Sequence, residues 1–207
     1  MATAATMRAQ LRAFLDDEQS IWRQGSMWSD TELDLALDAA QLAFVRYTYV
    51  KQQWHLISSL YSEVSGSTPM ALPPDYLFYS SATVDSDGLA YPAQLQIGWA
   101  ARNNQADPGR YSATILSSTV EFSNGGISAS GKLSYYSRPT KISGASTHTQ
   151  MNEACYDFIV YHAAAILQQK DHGQCTRALK NMEAILRALT EEPFRMYPAI
   201  ADNHTEI

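Results

Sequence analysis

Seven residues, Gly126-Ile127-Ser128-Ala129-Ser130-Gly131-Lys132, reproduce the G-x-x-x-x-G-K core of a phosphate-binding loop. In such a loop the backbone N–H groups of a helix N-terminus surround the phosphates, the Lys reaches them, and a following Ser or Thr holds Mg²⁺. Here Leu133 occupies the Ser/Thr position, and the chain continues as a strand-like run to Pro139 rather than a helix. A β-hairpin with permissive glycines is the better account of the segment. The same stretch misses the G-x-S-x-G nucleophile elbow at its last residue and lacks the strand-to-helix context. His55, His148, His162, His172 and His204 show no ligand spacing, and neither Cys155 nor Cys175 has the close partner of a structural zinc site. His162 falls on an apolar helical face, where a core histidine is the ordinary reading. Asp16-Asp17 and Glu191-Glu192 are adjacent pairs, and neighbours on a helix do not share a face. No set of residues combines nucleophile, base and oxyanion donors. The sequence gives no reason to expect an enzyme, a cofactor or a metal.

The elements that would position any site fall into three blocks. Residues 1–55 read as helical, 56–149 as strands and turns, and 150–189 as helical again, followed by a tail at 190–207. Eight of the 10 Gly and six of the 8 Pro lie inside 56–149, which marks that block as turn-rich. Helix, then strands, then helix gives an α+β order without βαβ alternation. The expected architecture is a helical bundle body with a large antiparallel β-rich insertion and an extended C-terminal tail.

A first helix is expected from about Thr3 to Gln19, with Met7, Leu11, Phe14 and Leu15 on one face. The second has the clearest start in the chain. Ser29 can cap it, Glu32 completes a capping box, and Trp28 with Leu33 suits a hydrophobic staple. Strand-like runs are expected at His55–Val64, Leu77–Val84, Leu95–Trp99, Tyr111–Phe122 and Ile127–Tyr136. Asp87-Gly88 and Asn124-Gly125-Gly126 supply the tight turns. Arg102–Arg110 reads as an exposed loop. Helices over Gln150–Gln169 and Gln174–Leu189 follow, the second carrying Leu179, Met182, Ile185, Leu186 and Leu189. Pro193 and Pro198 forbid a regular helix in the tail, which nevertheless holds Phe194, Met196, Tyr197 and Ile200.

The chain has 207 residues with a formal net charge of −6 and 17% charged residues, against a typical ~25%. That length allows one domain with a substantial insertion and a real core without disulfides. A surface rich in Ser, Thr, Gln, Asn and Tyr is easier to bury against a partner than a charged one. The acidic balance argues against gripping nucleic acid through its phosphates. No apolar run reaches the ~18 residues of a membrane span, and Met1–Arg12 lacks the apolar core of a secretory leader. Both cysteines are expected reduced, in a cytosolic compartment.

Several of these segments, taken in order, resemble one family. Trp28-Ser29-Asp30-Thr31-Glu32-Leu33 opens a long second helix, and Leu72-Pro73-Pro74-Asp75-Tyr76 fits an L-P-x-D-[FY] entry into a β-rich insert. Tyr135-Tyr136-Ser137-Arg138-Pro139 fits a Y-[YF]-x-x-P exit, and Tyr156–Leu167 fits a Y-x-x-[IL]-V-x-x-A-A-x-x-L helix. Their order over residues 1–189 is similar to that of head-to-tail adaptor (connector) proteins of tailed bacteriophages. The resemblance implies a structural virion protein that forms a cyclic ring of about twelve copies beneath the portal. It implies contacts with the portal protein, with a tail or nozzle protein and with itself. Genomic DNA would pass through the channel without sequence-specific binding, and an acidic lumen would let it slide. Location in the virion neck after assembly in the host cytoplasm follows, with no membrane contact. Phe194, Met196, Tyr197 and Ile200 would anchor the tail on the portal. The insert at 56–149 is long for this family, and the loop at 102–110 has no place in its pattern. The rival reading is a β-rich recognition module whose exposed strand aromatics bind carbohydrate.

Overall fold

The structure, a computed structural model, describes residues 3–15, 28–97, 110–143, 151, 155–172 and 176–191. The chain divides into two compact units, one formed by Met1–Ser59 with Pro139–Ile207 and one by Leu60–Arg138.

In the first unit, α1 (Ala4–Leu15), α2 (Asp30–Val50), α3 (Tyr156–His172) and α4 (Thr176–Glu191) are the helices, and α1, α2 and α4 all pack on α3. α3 accordingly buries most of its circumference, with Tyr156, Phe158, Ile159, Val160, Ala163, Ala164, Ala165 and Leu167 removed from solvent. A helix with apolar residues nearly all round is stable only at the centre of its neighbours. α2 begins where its cap dictates. Ser29 Oγ accepts from the Glu32 backbone N–H, and the Glu32 carboxylate accepts from the Ser29 N–H. Trp28 and Leu33, either side of the cap, are both buried. The α2 face built from Leu33, Leu37, Ala40 and Phe44 is buried, and the Phe44 and Phe158 rings lie 5.0 Å apart. After α2, Trp54–Leu60 forms a kinked 3₁₀ segment, not the start of a strand as the expected run His55–Val64 had it. Gln53 ends the helix through its own N–H, which donates to Thr48 O.

The second unit holds β1 (Tyr61–Ser67), β2 (Met70–Ala71), β3 (Tyr76–Ser86), β4 (Leu89–Pro92), β5 (Gln94–Ile97), β6 (Tyr111–Leu116), β7 (Thr119–Asn124) and β8 (Ile127–Ser137). The main path runs β4-β3-β8-β7-β6-β5, with β1 on β8 and β2 on β7. β4 and β5 stand at opposite ends of that path, yet only Ala93 separates them in sequence. The sheet therefore curls until its two ends are formed by one bent segment, with Ala93 N–H donating to Ala82 O across the bend. The Tyr91 ring of β4 stacks on the Tyr111 ring of β6, centroids 4.4 Å apart. Inside the curl, Met70, Ala82, Val84, Ala113, Val120, Phe122, Leu133 and Tyr135 make one apolar cluster.

This mixed α+β fold, organised by a curled eight-stranded sheet with its own core, corrects the expected helical bundle body carrying an antiparallel insertion. The sheet is mixed, because β5 and β6 pair in parallel, Gln94↔Ser112 through Ile97↔Ile115. Parallel neighbours need a long connection rather than a hairpin, and 13 residues, 98–110, separate these two strands. A further difference lies at Tyr111–Phe122, which is two strands joined at Ser117-Ser118, with Ser117 at φ 48°. Of the tail expected to be extended from 190 to 207, Thr190 and Glu191 belong to α4, and residues 192–207, with Phe194, Met196, Tyr197 and Ile200, lie outside the described residues. No described helix is long and apolar enough to cross a membrane.

Candidate functional site

Two segments of the strand unit, Leu72–Tyr76 leading into β3 and Tyr135–Arg138 ending β8, meet each other. The chain turns over Pro73–Tyr76, the Pro73 carbonyl accepting from Tyr76 N–H at 3.0 Å and Pro74 standing at the second turn position, where proline is favoured. Leu72 packs on the apolar cluster of the curl, and its N–H donates to Ser118 O. Asp75 is thereby presented to β8. The Tyr135 hydroxyl donates to Asp75 Oδ1 at 3.1 Å, and Arg138 N–H donates to Asp75 O at 2.6 Å. Tyr76 pairs with Ser137 in the β3–β8 register, and its ring lies 5.7 Å from that of Tyr135. Tyr136 pairs with Tyr61 of β1, ring centroids 6.0 Å apart, while Ser137 Oγ donates to Leu60 O. Pro139 is buried just past the exit. The approach to β3 and the end of β8, 60 residues apart along the chain at Asp75 and Tyr135, form one clasp.

Tyr135 is 5% exposed, and burial, reinforced by the neighbouring Asp75 charge and hydrogen bond, holds its phenol above the usual range. The hydroxyl stays protonated and acts as a structural donor.

Residues 126–132 form the second half of a tight turn and the first half of β8, with Gly125 at φ 57° and Gly126 at φ 87°. Lys132, the residue that would reach a phosphate, lies 3.0 Å from Glu63 Oε2 on β1. Glu63 is held below its ordinary range first by the Lys132 hydrogen bond and then by that of Tyr61, and Lys132 is raised by the same carboxylate. Both side chains are more than a third exposed, so the pair contributes little stability. Gly131 has a different role. A Cβ there would press on the Thr83 carbonyl and on the buried Phe122 ring, so β8 approaches β3 and the core more closely than any side chain permits.

Of the groups that could do other chemistry, Cys155 is fully buried and its thiol is pushed up to about 12 by desolvation, which removes thiolate reactivity. His162 is lowered by burial and sits 5.6 Å edge-on from Phe158, a neutral ring in an apolar setting. Tyr156 is buried on α3. Among the described residues no group of three His, Cys, Asp or Glu side chains could hold a metal ion.

An ionic clamp that the sequence reading passed over joins α1 to α2. Arg8 Nη1 lies 2.6 Å from Asp30 Oδ2 and Arg8 Nε 3.0 Å from Asp34 Oδ1. Arg12 Nη2 lies 2.9 Å from Asp30 Oδ1 and donates to Trp28 O at 3.0 Å. The Arg12 hydrogen bond, ahead of the Arg8 and Arg12 charges, holds Asp30 below its ordinary range. The signal was available as matching four-residue spacings, Arg8/Arg12 on one helix and Asp30/Asp34 on the next, each pair sharing a face.

No family model matches the chain, and no curated protein sequence matches it.

Proposed function

We propose that this chain is a head-to-tail adaptor of a tailed bacteriophage, a structural subunit that forms a ring between portal and tail and continues the DNA channel. The observation that carries the reading is the clasp between Asp75-Tyr76 and Tyr135–Arg138. An L-P-x-D-[FY] segment and a Y-[YF]-x-x-P segment are each common alone. In this chain the two segments meet as one contact, which is what supports reading them together. The capped start of α2 at Ser29 and Glu32 is a third element of the same pattern.

The chemistry agrees with that role. A net charge of −6 disfavours a persistent grip on DNA phosphates and suits a conduit through which DNA slides. The partners are the portal on one side, a tail or nozzle protein on the other, and further copies of the chain, about twelve in a closed ring. The tail beyond α4, with Phe194, Met196, Tyr197 and Ile200, is the portal-binding arm, since aromatic anchors dominate interface energetics.

Co-sedimentation of the purified chain with portal-bearing, DNA-filled heads tests the proposal. The intact chain is expected to pellet with heads, and a chain shortened by residues 192–207 is expected to stay in the supernatant. Equal binding by the shortened chain would remove the arm from the portal contact. Absence of binding by the intact chain would remove the adaptor reading.

A further inference from the structure

Asn124 is the one asparagine of the chain that is followed by glycine. Gly125 carries no Cβ, so its backbone nitrogen is uncrowded and can close on the Asn124 side-chain carbonyl carbon as a succinimide ring. The fold restrains both reacting groups. Gly125 N–H donates to Arg110 O at 2.9 Å, and Asn124 Nδ2 donates to Ser86 Oγ at 3.2 Å. Ser86 Oγ in turn donates to Asp87 Oδ2 at 3.4 Å, so a run of donors ties the β7–β8 turn to the β3–β4 turn. Gly126 N–H donates to Ser123 Oγ at 3.0 Å. Asn124 also closes two ladders, opposite Tyr111 of β6 and Ile127 of β8. Little apolar burial supports these bonds, since Asn124 and Gly125 are half-buried and Gly126 and Ile127 exposed. Turns of that kind open locally at a free energy well below that of global unfolding.

We propose that Asn124-Gly125 is a self-modification site whose reaction is gated by opening of this turn. Once Gly125 N–H leaves Arg110 O it can lose its proton, and the nitrogen attacks Asn124 Cγ. The bond from Cγ to Nδ2 breaks, and the side-chain nitrogen departs as ammonia, taking up that proton. Water then opens the ring. Cleavage of the new bond to Cγ gives aspartate, and cleavage of the old bond to the Asn124 backbone carbonyl gives isoaspartate. Neither product restores the turn. A carboxylate at 124 has no hydrogen to donate to Ser86 Oγ, and it brings a second negative charge towards Asp87. Isoaspartate adds a methylene to the main chain at a residue that closes two ladders, so both registers cannot be kept. Loss of ammonia makes the change one-way. The inference does not use the adaptor reading.

Peptide mapping by mass spectrometry on the full chain, incubated at neutral pH and sampled over time, tests the proposal, with isoaspartate resolved from aspartate by electron-transfer fragmentation. In guanidinium chloride Asn124 is expected to convert fastest of the chain's asparagines, and in the native chain to lag well behind that rate. Ser86→Ala removes the acceptor of the Asn124 amide at a half-buried position. It is expected to speed the native reaction about two- to tenfold, the loss of one hydrogen bond read as easier opening. Should that variant fail to fold by circular dichroism, Ser123→Ala, which releases Gly126 N–H, is read in the same way. Equal rates at Asn124 in native and unfolded chains, or a folded variant that reacts like the wild type, would overturn the gating. An Asn124 that stays intact in guanidinium chloride while other asparagines convert would overturn the site.

Discussion

At Gly131 a Cβ would lie 2.7 Å from Phe122 Cδ1 and Cγ as well as against the Thr83 carbonyl oxygen. Backbone cannot swing aside as a flexible side chain does, and Phe122 is fully buried. Gly131→Ala is therefore expected to cost about 1–3 kcal/mol, the usual range for overpacking a filled core, read as a lower urea midpoint with unchanged slope. Tyr135 carries the clasp. Removing its hydroxyl in Tyr135→Phe is expected to cost about 1.5–3 kcal/mol, the worth of a hydrogen bond to a charged acceptor, here the Asp75 carboxylate. The pH dependence has a definite sign. The folded phenol is raised above its ordinary value of 10.0, so the unfolded chain ionises first as pH rises, and stability present below that pH falls above it. Urea titrations at rising alkaline pH are expected to show a steeper loss for the wild type than for Tyr135→Phe. Equal slopes would remove Tyr135 from the alkaline limb. The importance of Gly131 could not be read from the chain, because its reason is a crossing of three strands; that of Tyr135 could, from the motif that contains it.

The cap of α2 was legible because every participant is local. Ser29 and Glu32 are three residues apart, and their chemistry needs no tertiary context. Ser29→Ala is expected to lower stability by about 0.5–2 kcal/mol, measured by thermal or urea unfolding, with Ser29→Asp near wild type. The turns at Asp87-Gly88 and Gly125-Gly126 were legible on the same ground, as positive-φ positions with glycine at hand. Strand direction was not. Leu95 and Ile97 alternate alike in a parallel or an antiparallel pair, and only the connection to Tyr111 decides between them. The split at Ser117-Ser118 was hidden because serine carries no strong turn signal. His55–Leu60 misled in the other direction, since Leu56, Ile57 and Leu60 are buried and their apolar pattern suits either a strand or a tight helical segment.

For the whole molecule, the expected helical bundle body with an antiparallel insertion put the emphasis in the wrong place. The strand block reads as an appendage because its glycines and prolines look like loops. It is instead a curled sheet whose ends are joined through Ala93 and whose interior is filled by Val84, Phe122 and Leu133. The candidate site was legible as two motifs without any indication that they touch, and contact across 60 residues is what a one-dimensional reading cannot supply. If the assembly is a ring on the portal, the subunit must repeat around the channel axis. Imaging of neck complexes purified from virions that encode this chain tests that most directly. The account predicts a closed ring of density, about twelve copies related by rotation, lying beneath the portal and enclosing the DNA path. Neck particles without rotational symmetry at that level, or the chain found only as free monomer, would contradict it.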